Sequence, residues 1–264
     1  MEWVEVHGLR IAFERAGAGP PVVLLHGGLA DHREWSAQQA LADGFTVVTW
    51  DAPGCGRSSD PPTSFRMADY ADVLAGFVEG LALGRPHVVG LSFGATLALA
   101  LQRRAPGVAR TLVLASAYAG WAGSLPPEEV TQRLSVARRL LGRPPSELAQ
   151  SFVETLFADA AAPGLVESVR EMLLDLHPSG ARTMLEAMAE CDLREGLDRI
   201  DVPTLLVHGE LDVRSPLRVA EELRSSIPGS TLRVLPGVGH QCNIEAADSF
   251  TDVVREFLHA RDGE

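Results

Sequence analysis

Two hydrophobic periods divide the chain. Near its start, "EWVEVHGLRIAFERAG" alternates apolar and polar positions with the two-residue period of a half-buried strand, interrupted at His7 and Gly8. That predicts an edge hairpin with Val4, Val6, Ile11 and Phe13 at its apolar positions. Beyond it the alternation gives way to short continuous apolar runs: "PPVVLLHG", "FTVVTWD", "PHVVG", "RTLVLAS" and "PTLLVHG". Such runs fit parallel strands buried on both faces. Between runs the period becomes helical. Tyr70, Val73, Leu74, Phe77, Val78 and Leu81 share one face of a helix predicted over 66–82. Ile244, Phe250, Val253, Val254, Phe257 and Leu258 share one face of another over 243–258. Strands alternating with helices predict the α/β class, a mostly parallel central sheet flanked by helices.

The alternation stops between 120 and 195. Four helical stretches follow one another there, separated by Pro and Gly: "PPEEVTQRLSVARRLLG", "PSELAQSFVETLF", "PGLVESVREMLLDLH" and "PSGARTMLEAMAEC". Each has an apolar stripe, such as Val130, Leu134, Ala137 and Leu141, or Leu165, Val169, Met172 and Leu176. With no strand of their own to cover, these helices must pack on each other and on the main body. The strand pattern resumes at Val202. The expected organisation is therefore one core built from 1–119 and 196–264, with a helical insertion over 120–195.

Charge and composition narrow the partners. The 35 acidic residues against 23 Lys and Arg give a net charge of −12, which repels phosphate backbones and anionic lipid surfaces. Neither nucleic acid nor membrane is an expected partner. The opening "MEWVEVHGLR" has no basic, apolar leader, and no run approaches the roughly 18 apolar residues of a membrane span. A cytoplasmic location follows as the expectation. Cys55, Cys191 and Cys242 are odd in number and lack both CxxC and a zinc-like cysteine–histidine spacing, so reduced thiols are expected and no metal or other cofactor. Monomer and homodimer both remain open.

Candidate chemistry starts at "VVGLSFGATLALA", where Ser92 stands between Gly90 and Gly94 as an apolar strand turns directly into an apolar helix. G-x-S-x-G in that setting is a nucleophile elbow: the tight corner strains the serine backbone, and side chains at the flanking positions would clash. A serine needs a base, and the base needs an orienting group. "GELDVRSP" leaves Asp212 in the loop after one strand, and "GVGHQCNIE" leaves His240 in the loop after another. Glu210 is the nearest competing acid. An oxyanion needs two amides, and Gly28 in "LLHGGLADHREW" can pair with Phe93, the residue after the serine. His26 in the same stretch is read as fixing that loop. "WDAPGCGRSSDPP" is glycine-rich but lacks the Lys-Ser/Thr of a phosphate-binding loop, and is read as a structural turn.

"HGG", "DAPGCGRS", "GLSFG", "GELD" and "GVGH", in this order and across essentially the whole chain, resemble the α/β-hydrolase superfamily. The likeness is to its capped bacterial serine hydrolases: carboxylesterases, enol-lactonases, haloperoxidase-like perhydrolases and carbon–carbon bond hydrolases. It implies an α/β-hydrolase fold with a helical cap at 120–195, and a triad in the family order Ser92, Asp212, His240. Haloalkane dehalogenases and epoxide hydrolases carry aspartate where this chain has Ser92. The implied activity is hydrolysis of a small-molecule carboxylic ester through an acyl-enzyme on Ser92. Enol-lactones or vinylogous diketones are the alternative substrates, and a perhydrolase or non-catalytic ligand receptor lies beyond them. Leu29 and Ala30 depart from the extended glycine-proline loop of the carbon–carbon hydrolases, which counts against that option. Trp121, Phe152, Phe157, Met172 and Met188 are candidates for an apolar wall, although at helical spacing each also fits the interior of the cap.

Overall fold

The computed structural model describes residues 1–158 and 163–261. The chain begins with the expected hairpin: β1 (Glu2–Val6) pairs antiparallel with β2 (Leu9–Ala16), Val4 opposite Ile11. His7 and Gly8 turn it with positive φ of 49° and 79°, the mirror-image turn that matches strand twist. The five apolar runs become β3 (Pro21–Leu25), β4 (Thr46–Trp50), β5 (His87–Leu91), β6 (Thr111–Ala115) and β7 (Thr204–Gly209). With β8 (Thr231–Leu235) they form one eight-stranded sheet in the order β1-β2-β4-β3-β5-β6-β7-β8. Among the described residues only the β1/β2 and β2/β4 pairs are antiparallel.

Alternate residues of the central strands face opposite ways, so the strands must be apolar throughout. Val23, Leu25, Val88, Leu112 and Leu114 join one buried cluster, completed by Phe77 of α1 (Met67–Gly80), Leu97 and Leu101 of α2 (Phe93–Arg104), and Leu223 of α7 (Leu217–Ser226). Val22, Leu24, Val89, Val113 and Val207 join the other, against Phe250, Val254 and Leu258 of α9 (Ala247–His259). The helix predicted over 243–258 is broken in two. A single turn, α8 (Cys242–Glu245), precedes α9, and Ala246 between them has φ −123° and ψ 50°, outside the helical region.

Among the described residues four α-helices lie between β6 and β7: α3 (Pro127–Leu140), α4 (Pro145–Leu156), α5 (Pro163–Leu174) and α6 (Pro178–Glu190). Each begins with proline, whose fixed φ and missing N–H suit the first helical position. Helix α3 packs on α6 and α4, and α4 on α5. Their ties to the rest of the molecule run to loops that follow strand carboxyl ends. Asp175 pairs with Arg33 at 3.0 Å beyond β3, Gly180 abuts Gly54 beyond β4, and the Leu156 carbonyl accepts from the Gln241 amide at 3.0 Å beyond β8. Cys55, Cys191 and Cys242 are buried free thiols. Among the described residues no helix is long and apolar enough to cross a membrane.

Candidate active site

The strand-to-helix corner at Ser92 is as tight as its sequence requires. Ser92 has φ 52° and ψ −104°, a positive-φ conformation that L residues avoid. A β-carbon on Gly90 would lie 2.3 Å from the Gly94 carbonyl, and one on Gly94 would lie 2.1 Å from the Leu25 oxygen. Glycine at both positions is a steric necessity. The Ser92 amide donates to the Ala115 carbonyl at 2.8 Å, tying the corner to β6. From Pro86 to Gln102 every residue is fully buried except Ser92. Its hydroxyl takes part in no hydrogen bond among the described residues, and it borders a small cavity that His240 also lines.

His240 meets Asp212. Its Nδ1 donates to Asp212 Oδ2 at 2.7 Å, while Oδ1 accepts the amides of Arg214 at 2.9 Å and Ser215 at 2.8 Å. Burial by itself would raise the Asp212 pKa. The charge and hydrogen bond of His240, together with the Ser215 amide, outweigh it and hold the carboxyl below its ordinary value. Glu210 lies elsewhere: it is exposed, and its Oε2 accepts the Gly237 amide at 2.8 Å, clamping the turn before the histidine. His208 is fully buried on β7, donates Nε2–H to the Ser215 carbonyl at 2.7 Å, and is kept neutral by burial.

Two residues that pattern reasoning did not single out hold the histidine loop. Ser116, at the end of β6 with φ 45°, donates its hydroxyl to the His240 carbonyl at 2.8 Å. Glu245 accepts the Gly239 amide at 2.9 Å and the Ala158 amide at 3.0 Å, joining the loop to the end of α4. Neither has a motif signal, because each acts on backbone atoms far away in sequence.

Gly28 and Phe93 lie side by side on the lining of the same cavity, with 3.8 Å between a β-carbon built on Gly28 and that of Phe93. Phe93 opens α2, so its amide has no intrahelical acceptor. The Gly28 amide has none among the described residues. His26 fixes the loop as expected: Nδ1–H donates to the Gly27 carbonyl at 2.7 Å and Nε2 accepts the Ala52 amide at 2.9 Å. That pattern needs the neutral ring, which burial also favours.

Behind this loop lies a buried acid. Glu34 is 1 % exposed, accepts the Gly27 amide at 2.6 Å, and accepts Gln241 Nε2 at 3.0 Å, so it links the Gly28 loop to the residue after His240. Burial raises its pKa to about 7 despite these hydrogen bonds. In the unfolded chain it titrates near 4.5, so the folded state binds more protons between about 4.5 and 7. Stability from this group is full at acid pH and falls as pH rises through that window, by an amount on the order of 3 kcal/mol. Glu34→Gln is expected to remove the slope. Its amide can donate to Gln241 Oε1, which has no partner. In calorimetric melts the variant should gain several degrees over wild type at pH 8, and less at pH 5. An equal difference at both pH values would contradict the assignment.

Of the five apolar wall candidates, Trp121, Phe152 and Met188 line the cavity. Met172 and Phe157 do not: Met172 borders a separate small cavity with Leu29, Ala30 and Cys55 of the loops beyond β3 and β4, and Phe157 ends α4 in extended conformation. Met184 and Leu185, on the same face of α6 as Met188, line the cavity with Leu156. Arg214, two residues beyond Asp212 and without a motif signal of its own, also lines it. Asp31, His32 and Asp51 converge closely enough to hold an ion. Asp31 is already paired with Arg33 at 2.7 Å, and Asp51 accepts from His32 Nδ1 at 2.7 Å and from the Arg57 amide at 2.8 Å.

Comparison with known proteins identifies the family. The family description for the alpha/beta hydrolase fold matches residues 20–247. A Klebsiella pneumoniae protein assigned as the carbamate hydrolase RutD is 32% identical over 255 residues, covering 92% of each chain. Among solved structures, a thermophilic esterase from Thermogutta terrifontis superposes with a TM-score of 0.92 at 30% identity, covering 99% of this chain and 100% of that one. The enol-lactonase of Burkholderia xenovorans gives 0.89 at 26% identity, covering 98% and 100%. Family match, sheet order and serine corner lead to one conclusion: the chain belongs to the α/β-hydrolase fold family.

Proposed function

We propose that the protein is a serine hydrolase of small carboxylic esters, with Ser92 as nucleophile, His240 as general base and acid, and Asp212 as the group that orients His240. The observation that carries this reading is the shared cavity. A strained serine, a histidine bonded to a buried aspartate, and two amides without acceptors all border it. In the first half-reaction Ser92 Oγ attacks the ester carbonyl and passes its proton to His240 Nε2. Negative charge develops on the carbonyl oxygen, which the Gly28 and Phe93 amides receive, each such donor contributing about 3 kcal/mol. The tetrahedral intermediate collapses, His240 protonates the departing alkoxide, and Ser92 is left acylated. Water, deprotonated by His240, then attacks the acyl group and frees the serine.

Residues 120–195 serve in this scheme as a cap over the strand ends, with Trp121, Phe152, Met184 and Met188 as its apolar contribution. A small cavity walled by these side chains favours short and medium acyl chains over long ones. Each buried methylene contributes about 0.8 kcal/mol only while there is room for it. For p-nitrophenyl esters, kcat/KM is expected to peak at about four to eight carbons and to decline by palmitate. A preference for long-chain emulsified esters would contradict the enclosed cavity. The likeness to an enol-lactonase supports a second reading, opening of a cyclic ester by the same groups. A panel of esters, enol-lactones and diketones ranked by kcat/KM tests both. Turnover of acyclic esters above the other classes supports the first, and the reverse order replaces it with the second.

A further inference from the structure

The scheme leaves one charged group at the cavity without a role. Arg214 lies two residues after Asp212, and its side chain borders the space that Ser92 and His240 share. It also borders a more open groove between α3 and α4. Trp121 and Phe152 border both spaces as well, so these three side chains form the neck between groove and cavity.

A guanidinium has five N–H donors. One of those on Arg214 goes to the neutral hydroxyl of Thr155 at 2.8 Å, and the group stacks over the Phe152 ring, 4.7 Å from its centroid. Among the described residues no carboxylate forms an ion pair with it. The acids that border it are already engaged, Asp212 with His240 and two amides, Glu129 with Arg133. Removal from water disfavours the charge on Arg214, and Arg133 adds repulsion. Arginine nevertheless stays protonated in proteins, so the neck holds a cation whose planar donors are mostly unused.

Such a group, held over an aromatic ring, matches the two oxygens of a carboxylate. We propose that Arg214 recognises a carboxylate on the substrate, remote from the bond that is cleaved. The preferred substrates are then esters that carry a second, ionised acid, such as monoesters of short dicarboxylic acids. This deepens the ester reading and rests on it. A net charge of −12 repels such molecules at long range, so their selection has to come from a local cation at the site.

The test separates binding from turnover. Ser92→Ala protein is titrated calorimetrically with the monomethyl esters of succinic, glutaric and adipic acids, and with methyl hexanoate as the uncharged counterpart. At least one monoester is expected to bind about tenfold more tightly than methyl hexanoate. Adding Arg214→Met should bring charged and uncharged esters within about threefold of each other, and Arg214→Lys should keep part of the preference. If the methionine variant does not melt cooperatively, Arg214→Gln provides the same comparison with a donor left for Thr155. Equal or undetectable affinities in the Ser92→Ala protein, or a preference that survives loss of the guanidinium, overturn the proposal. Hydrolysis of the same esters by the unaltered protein is scored separately. Monoesters bound through Arg214 but never cleaved would overturn the ester reading and leave this inference standing.

Discussion

Ser92→Ala is expected to lower kcat for p-nitrophenyl butyrate by about 10⁵- to 10⁶-fold while leaving the melting curve cooperative. The size of the loss follows from chemistry. Without the hydroxyl no acyl-enzyme forms, and what remains is binding plus the Gly28 and Phe93 amides acting on uncatalysed attack by water. The fold should tolerate the change, because the Ser92 hydroxyl makes no hydrogen bond among the described residues. Alanine keeps the unfavourable φ of 52°, so any loss of stability reflects the backbone rather than a missing contact. Steady-state rates on protein purified free of host esterases decide the matter. Residual activity above about a hundredth of wild type would remove Ser92 from the mechanism.

Asp212→Asn is expected to cost about 10⁴-fold in kcat, and Glu210→Gln less than about twofold. The asparagine side chain has one oxygen. That oxygen will stay with the Arg214 and Ser215 amides, which Asp212 Oδ1 now accepts at 2.9 and 2.8 Å. The amide nitrogen then faces His240 Nδ1, and two donors cannot bond. His240 must switch to the tautomer with a bare Nδ1 and a protonated Nε2, which cannot take a proton from serine. Glutamine at 210 keeps a carbonyl oxygen for the Gly237 amide, so the loop holds and the chemistry is untouched. Parallel kcat measurements on the two variants check the assignment, and a large loss at 210 with little at 212 would reverse it.

The central strands, the hairpin at His7 and Gly8, and the four helices between β6 and β7 were legible because burial on both faces, or on one stripe, writes itself into residue order. Ser92, Asp212 and His240 were legible as candidates for a related reason. Each stands in a loop or corner directly after an apolar run, where a polar side chain needs an explanation. The broken helix at Ala246 was not, since Ile244 keeps the apolar phase while Gln241 and Asn243 make contacts to Glu34 and its backbone that no local pattern encodes. Glu34 was missed on the same ground. It sits in "ADHREW" among other charged residues, and only the folded chain shows that this one carboxyl is buried between two loops joined 207 residues apart. Met172 was read as a wall candidate because its spacing is apolar. Spacing names a buried face without saying whether cap or cavity covers it, and Met184 and Leu185 on α6 hold the places that Met172 and Phe157 were expected to fill.

The most direct test of the nucleophile assignment is covalent. The protein is treated with one equivalent of a fluorophosphonate, which phosphonylates an activated serine and stays attached, and the adduct is located by peptide mass spectrometry while ester hydrolysis is followed in the same samples. One adduct per chain on Ser92, rising in step with loss of activity and absent from His240→Gln protein, is the expected result. Loss of activity with the adduct on another residue, or full hydrolysis by protein whose Ser92 is quantitatively modified, would contradict it.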